Sequence, residues 1–254
     1  MPINKNEYPI LEFDYTATSI INPCSNKTGL FPQKLIFAFL QEEIEYFVKN
    51  HNGQEIDNFE SVTKIYPIYE VEFKKEKIAL CQAPAGASAA VQLMEYLIHR
   101  GATKIISTGS CGTLVDIPEN KFLIPISALR DEGTSYHYLP PSREIHISSK
   151  GIDALKTALI NNSIDFMQVK SWTTDGFFRE TKEMVIYRKQ EGCQVVEMEC
   201  AALAACAEFR NVVWATLLFS ADSLANCNLY QKRNWGKESV NTALLLAFDA
   251  IRLL

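Results

Sequence analysis

Short apolar runs alternate along this chain with amphipathic stretches, and no repeat or low-complexity linker interrupts them. Residues 34–49 read as a helix. Segments 65–73 and 77–83 read as two strands joined by the charged turn 74–76, and 87–100 reads as a helix ending at Gly101. Two apolar runs follow: 104–108, leading into a glycine turn, and 121–128, ahead of the polar segment 130–135. Further along, 152–161 is helical in pattern, 166–172 strand-like, 182–190 helical, 194–198 strand-like and 201–209 helical. Residues 212–219 have the continuous apolar character of a fully buried strand, and 237–253 closes the chain as an amphipathic helix. Strands alternating with helices predict an α/β fold, and no boundary divides residues 1–254 into domains.

A length of 254 residues with 47% hydrophobic content is enough for a sizeable core. The 25 basic and 30 acidic side chains are dispersed and leave a net charge of −5. Without a long basic run, a nucleic-acid or membrane-surface role is disfavoured, and a small molecule is the expected partner. Seven cysteines lie without paired spacing, and neither a signal peptide nor a bilayer-length apolar run is visible, so free thiols in a reducing cytoplasm are expected. No histidines accompany the cysteines at 193, 200 and 206 at zinc-ligand spacing, so no metal is expected.

The most informative segment is VVEMECAAL, 195–203, which carries Glu197, Met198 and Glu199 into an otherwise apolar stretch. In extended backbone the two glutamates share one face and Met198 takes the other. A buried carboxylate needs donors, and sugar hydroxyls are donors. The competing reading is an acidic start to the helix that follows, favoured by the helix dipole.

Three strand ends bear candidate chemistry. Gly109, Ser110, Cys111 and Gly112 form a glycine-flanked segment that can offer N–H groups and hydroxyls to an anion, or serve as an ordinary tight turn. TTDGFFRET, 173–181, places Phe177 and Phe178 after a strand, where an aromatic can stack on a planar ring or pack in the core. FSADS, 219–223, ends the most apolar strand with one acid, Asp222, at the position where open α/β sheets form ligand crevices. Desolvation there would raise its pKa and suit it to proton donation; a turn or N-cap aspartate is the alternative.

Together TGSCG, TTDGFF, VVEMECAAL and SAD, in this order and approximate spacing, resemble the nucleoside phosphorylase and nucleosidase family, from about residue 65 to the C-terminus. That family includes hexameric-type purine nucleoside phosphorylase, uridine phosphorylase and methylthioadenosine/S-adenosylhomocysteine nucleosidase. The resemblance implies a single α/β domain whose central mixed sheet partly closes into a barrel flanked by helices, assembled as dimers or hexamers. It implies cleavage of the bond between a nucleobase and C1′ of ribose, with phosphorolysis as the default and inorganic phosphate as the co-substrate, and no other cofactor. By position, Glu199 would accept the ribose 2′- and 3′-hydroxyls, Met198 would lie under the sugar, Glu197 would be a second polar contact and Phe177 would face the base. Asp222 matches the acid that protonates or hydrogen-bonds N7 of a departing purine. Gly109 and Ser110 would border the phosphate or water site. The segment after the aromatics lacks the glutamine of uridine phosphorylases, which turns the reading toward a purine, with Arg179 as a contact open to a pyrimidine carbonyl.

The departures bear on the acceptor. Family phosphorylases carry an arginine in a GDPxR element, one from the neighbouring subunit and one just before the GS turn. Here INPCS stands at 21–25, Glu76 in the charged turn, and Ser107 ahead of Thr108. Without guanidinium partners a phosphate dianion loses bidentate, charge-assisted hydrogen bonds, so water is the alternative nucleophile, with Lys27, Lys34, Lys74, Lys75 and Lys77 as candidate replacements. RDEGTSYHYLPP, 130–141, resembles a uridine phosphorylase-like loop near the subunit interface, making His137 and Tyr138 candidate contacts to a partner's site. Two rival classes are a non-catalytic nucleoside-binding member and an α/β protein using the GSCG turn for another phosphorylated ligand or Cys111 as nucleophile.

Overall fold

The computed structural model describes residues 3–23 and 30–254. Cys24 and Ser25 of the INPCS element, and Lys27, lie outside the described residues. The first half of the chain contains β1 (Lys34–Ala38), α1 (Glu42–Asn50), β2 (Gln54–Glu60), β3 (Ile65–Phe73), β4 (Glu76–Gln82), α2 (Ala87–Arg100), β5 (Lys104–Thr113) and β6 (Phe122–Asp131). The second half adds β7 (Glu144–His146), α3 (Ser149–Asn161), β8 (Phe166–Thr174), α4 (Lys182–Gln190), β9 (Val195–Glu197), α5 (Cys200–Phe209), β10 (Val213–Ser223) and α6 (Val240–Arg252).

One mixed sheet joins all the strands. β5 pairs in parallel with β10, β10 runs antiparallel to β6, β6 is parallel to β8, β8 is parallel to β9, and β9 returns antiparallel to β5. These pairings close a five-membered ring, the barrel that the resemblance implies. From β5 the sheet continues outward through β1, β4, β3 and β2. Helix α3 packs on α6 and α2 on α5, covering the sheet with apolar faces. Among the described residues no helix is long and apolar enough to cross a membrane.

The expected helix over 34–49 is instead a strand followed by a helix. Leu35, Ile36, Phe37 and Ala38 are wholly buried, with β1 paired in parallel to β4 on one side and β5 on the other. A strand buried on both faces is apolar at every position, so it lacks the alternation that separates strand from helix. Gln41, at φ 47°, turns the chain into α1. Burying each such aliphatic or phenyl side chain contributes about 1.5–3 kcal/mol, which outweighs the helix propensity of the segment.

The charged turn after β3 is a two-residue hairpin, and Lys74 and Lys75 at φ 49° and 69° have the left-handed backbone of a type I′ turn. The polar sequence of β2, QEIDNFE, gives no strand signal, and pairing with β3 makes it a strand. The expected glycine turn at 109–112 is also absent, because β5 runs straight through it to Thr113. The two glycines serve close approach instead. A Cβ on Gly109 would lie 3.0 Å from Cβ of Phe39, and one on Gly112 would lie 3.0 Å from Cγ1 of Val196.

Candidate active site

A cleft of about 260 Å³ opens where several strands end. Its walls include Phe39 beyond β1, Ala85 beyond β4, Gly109 and Ser110 in β5, and Asp222 in β10, with Phe177 and Glu180 following β8 and Glu197, Met198 and Glu199 at the β9–α5 junction. Seven of the expected site residues, Gly109, Ser110, Phe177, Glu197, Met198, Glu199 and Asp222, are thus gathered at one cavity. A second cavity of about 490 Å³ adjoins it and shares Phe177, Glu180, Asp222 and Trp235 as common wall.

The two glutamates do not share one face. β9 ends at Glu197 and Glu199 leaves extended geometry, with φ −135° and ψ −24°. Glu197 turns inward, where Oε1 accepts from the hydroxyls of Ser171 and Thr173, both at 2.6 Å. Its Oε2 accepts from the backbone N–H groups of Glu199 at 2.7 Å and Cys200 at 2.6 Å, the first turn of α5. The acidic helix start therefore describes Glu197, which satisfies N–H groups the helix cannot satisfy itself. Burial pushes its carboxyl pKa up, and these four donors pull it back.

Glu199 is differently placed. Its Oε1 accepts from the N–H of Gly86 at 2.6 Å, a contact that depends on the φ of 94° at Gly86, a backbone state suited to glycine. Burial first, and the charge of Glu197 second, push the Glu199 pKa up to about 8.

Asp222 is only 5% exposed. The β5–β10 register slips here: Ser220 pairs with Cys111 and Ser223 with Thr113, so Ala221 and Asp222 together oppose Gly112. Thr113 holds both sides of this bulge, its hydroxyl reaching the Asp222 carbonyl at 3.3 Å and its own carbonyl accepting from Leu224 N–H at 2.8 Å. Bulges of this kind re-aim side chains beside active sites. Desolvation raises the Asp222 pKa, while a hydrogen bond from Tyr230 and the field of Arg233 lower it. Nη1 of Arg233 is buried without a hydrogen-bond partner among the described residues.

The cleft wall among the described residues carries no lysine, arginine or histidine. Ser107, in the position of the expected arginine, is buried and accepts from Trp214 Nε1 at 2.8 Å. Lys34 pairs with Glu76 at 2.7 Å, Lys77 with Glu70 at 2.7 Å, and Lys74 with Asp249, all away from the cleft. Cys111 lines the cavity, but burial and the charges of Glu197 and Asp222 push its thiol well above the ordinary value, which opposes the thiolate a nucleophile requires. His137 and Tyr138 line a separate groove with Thr16, Ser19, Pro23 and Arg210. There the Tyr138 ring meets Phe209 edge-on at 5.8 Å.

Glu180, Trp235 and Tyr230 did not stand out in the sequence as site residues. Glu180 had one available signal, a carboxylate two positions beyond an aromatic pair; Trp235 and Tyr230 had none, since the fold carries them in from the segment between β10 and α6.

Residues 34–249 match the phosphorylase superfamily. The chain belongs to that superfamily. This superfamily member is 29% identical over 164 residues to the DeoD-type purine nucleoside phosphorylase of Mycoplasma genitalium, a match covering 61% of the chain and 68% of that relative. It is 28% identical over 154 residues to an uncharacterised protein of Acanthamoeba polyphaga mimivirus, and there the match spans 60% of the chain but only 58% of the relative's length. Among solved structures it resembles AMP nucleosidase from Bacteroides thetaiotaomicron, with TM-score 0.70, 22% identity and coverage of 88% and 89% of the two chains. Uridine phosphorylase from Vibrio fischeri gives TM-score 0.74, 23% identity and coverage of 88% and 92%. Purine nucleoside phosphorylase from Toxoplasma gondii in complex with immucillin-H gives 0.73, 19% and coverage of 87% and 91%. At these identities the structural likeness establishes the phosphorylase-type α/β fold, and the relatives span both phosphorylases and a nucleosidase.

Proposed function

We propose that this protein cleaves the N-glycosidic bond of a purine-type nucleoside, with water as the acceptor. The reading rests on one observation: Glu199 and Asp222 line the same cleft, and no cationic side chain lines it among the described residues. Glycosidic cleavage develops positive charge on the sugar and negative charge on the departing base. A carboxylate is wanted at the first and a proton donor at the second. Glu199, bordering Met198, takes the ribose hydroxyls, and their donation draws the raised carboxyl back toward its ionised form. Asp222, desolvated and near Phe177 on the base side, delivers its proton to N7.

Water follows from electrostatics. No guanidinium or ammonium lines the cavity among the described residues, so a phosphate dianion there would lack charge-assisted donors, and Glu199, once ionised, would repel it. Phosphorolysis is the second reading, favoured by the Mycoplasma genitalium relative's name and by Ser110, an exposed residue of the cleft wall. His137 and Tyr138 enter either reading only through a second subunit, because in their own chain they line another groove.

Base release from purine and pyrimidine nucleosides, measured with and without phosphate, tests this. Release indifferent to phosphate is expected. A strict phosphate requirement would establish the second reading, and absence of release from every nucleoside would leave a binding protein.

A further inference from the structure

Glu180 sits at the neck between the two cavities, sharing that wall with Phe177, Asp222 and Trp235. Its backbone is fixed on both sides. Before it, Phe177–Arg179 forms a 3-10 turn in which Arg179 N–H donates to the Gly176 carbonyl at 2.6 Å. After it, Thr181 caps α4, its hydroxyl accepting from Met184 N–H at 3.4 Å. The carboxyl itself has no hydrogen bond or ion pair among the described residues, and the nearby Lys182 ammonium is engaged by Asn228 at 2.9 Å. A half-buried carboxyl without a donor is unfavourable, and a ligand donor would relieve it.

We propose that Glu180 reads the substituent next to the atom protonated by Asp222, and so selects a 6-aminopurine over a 6-oxopurine. The proposal rests on the base-end reading of Asp222 given above. In a purine the C6 substituent lies beside N7, on the edge that leads from Asp222 toward the neck. An amino group there donates to the Glu180 carboxylate while Asp222 donates to N7. A 6-oxo group instead sets oxygen against the oxygen of the ionised carboxylate, which leaves two acceptors facing each other above about pH 7, where the base titrations are run. Burial and the charge of Asp222 push the Glu180 pKa up to about 7, as expected for a carboxyl awaiting a donor. No other carboxylate in the described base-end wall, Asp222 apart, competes for this role.

Binding of the free bases tests the assignment without requiring turnover. Adenine and hypoxanthine are titrated into the wild-type protein, Glu180→Gln and Glu180→Ala, and nucleoside cleavage is followed in parallel. Adenine is expected to bind wild type at least about tenfold more tightly than hypoxanthine, since a site lined for a donor rejects an acceptor. In Glu180→Gln, whose amide both donates and accepts, the ratio falls toward one. In Glu180→Ala the preference is also lost. An adenine preference unchanged in both variants, a wild-type preference for hypoxanthine, or failure to bind either base overturns the proposal. A Glu180-dependent preference in a protein that cleaves no nucleoside would uphold it and overturn the cleavage reading alone.

Discussion

Glu197 and Glu199 stand two residues apart, yet the protein treats them in opposite ways. Around Glu197 it supplies four donors from β8 and the start of α5, and the carboxylate becomes part of the framework. Around the cleft it withholds them: Glu199 receives a backbone donor from Gly86, and Glu180 none among the described residues. Burial and a neighbouring carboxylate hold the Glu199 and Glu180 values up, at about 8 and about 7. Donor count thus separates neighbouring carboxylates: Glu197 belongs to the framework, and Glu199 and Glu180 keep the acceptor capacity that the proposed function assigns to a ligand.

The division can be broken first at the base end. Asp222→Asn is expected to lower kcat for purine release by roughly 10²–10⁴-fold with little change in KM, the loss expected of a general acid. Equal effects on both constants, measured in steady-state kinetics, would make Asp222 a binding group only.

Next comes the framework carboxylate. Glu197→Ala leaves the hydroxyls of Ser171 and Thr173 and two N–H groups of the α5 start without their acceptor. A loss of about 3 kcal/mol or more in urea-induced unfolding is expected. A change below about 1 kcal/mol would mean that Glu197 and Glu199 are not divided in this way.

Glu199 should behave in the reverse sense. Its folded pKa of about 8 lies above the ordinary glutamate value of 4.5, so the folded state binds the extra proton. The destabilisation is absent below about 4.5, grows as pH rises, and is complete above about 8. Glu199→Gln, which keeps an acceptor for Gly86, should therefore raise Tm at pH 8.5, by roughly a few kcal/mol of stability, and leave it unchanged near pH 4. The same variant should lose base release. Thermal melts at the two pH values check the first expectation, and a Tm gain equal at both would remove ionisation as the cause. The smallest effect belongs to His137→Ala, which should leave the kinetics of an isolated chain unchanged and alter them only where a partner's cleft uses it.

The sequence was most legible where one level of structure decides the outcome. Residues 87–100 and 182–190 form helices with the expected bounds, the first set by its amphipathic period and its end at Gly101, the second by the Thr181 cap. It was least legible where pairing decides. β1 is apolar on all sides, β2 is polar, and 109–112 carries glycines for approach between layers rather than for turning. The site divides along the same line. Glu199, Met198, Phe177 and Asp222 were marked by polar or aromatic residues placed against apolar strands, and they converge on one cleft. The orientation of Glu197 away from Glu199 follows from donors on β8, twenty-odd residues away, which no local reading supplies. Trp235 and Tyr230 reach the cavities from a segment whose path is set by tertiary contacts, including the N–H groups of Asn234 and Gly236 on Glu119.

The bulge that sets Ala221 and Asp222 against Gly112 alone makes the acid's direction a matter of parity. Side chains alternate along a strand and Ser223 keeps Thr113 as its partner, so removal of Ala221 alone would restore even pairing with β5 and re-aim Asp222, then the sole residue opposite Gly112, while later residues kept their faces. Loss of a single codon, with no change in the kind of residue present, is then enough to silence the site while the barrel stays closed.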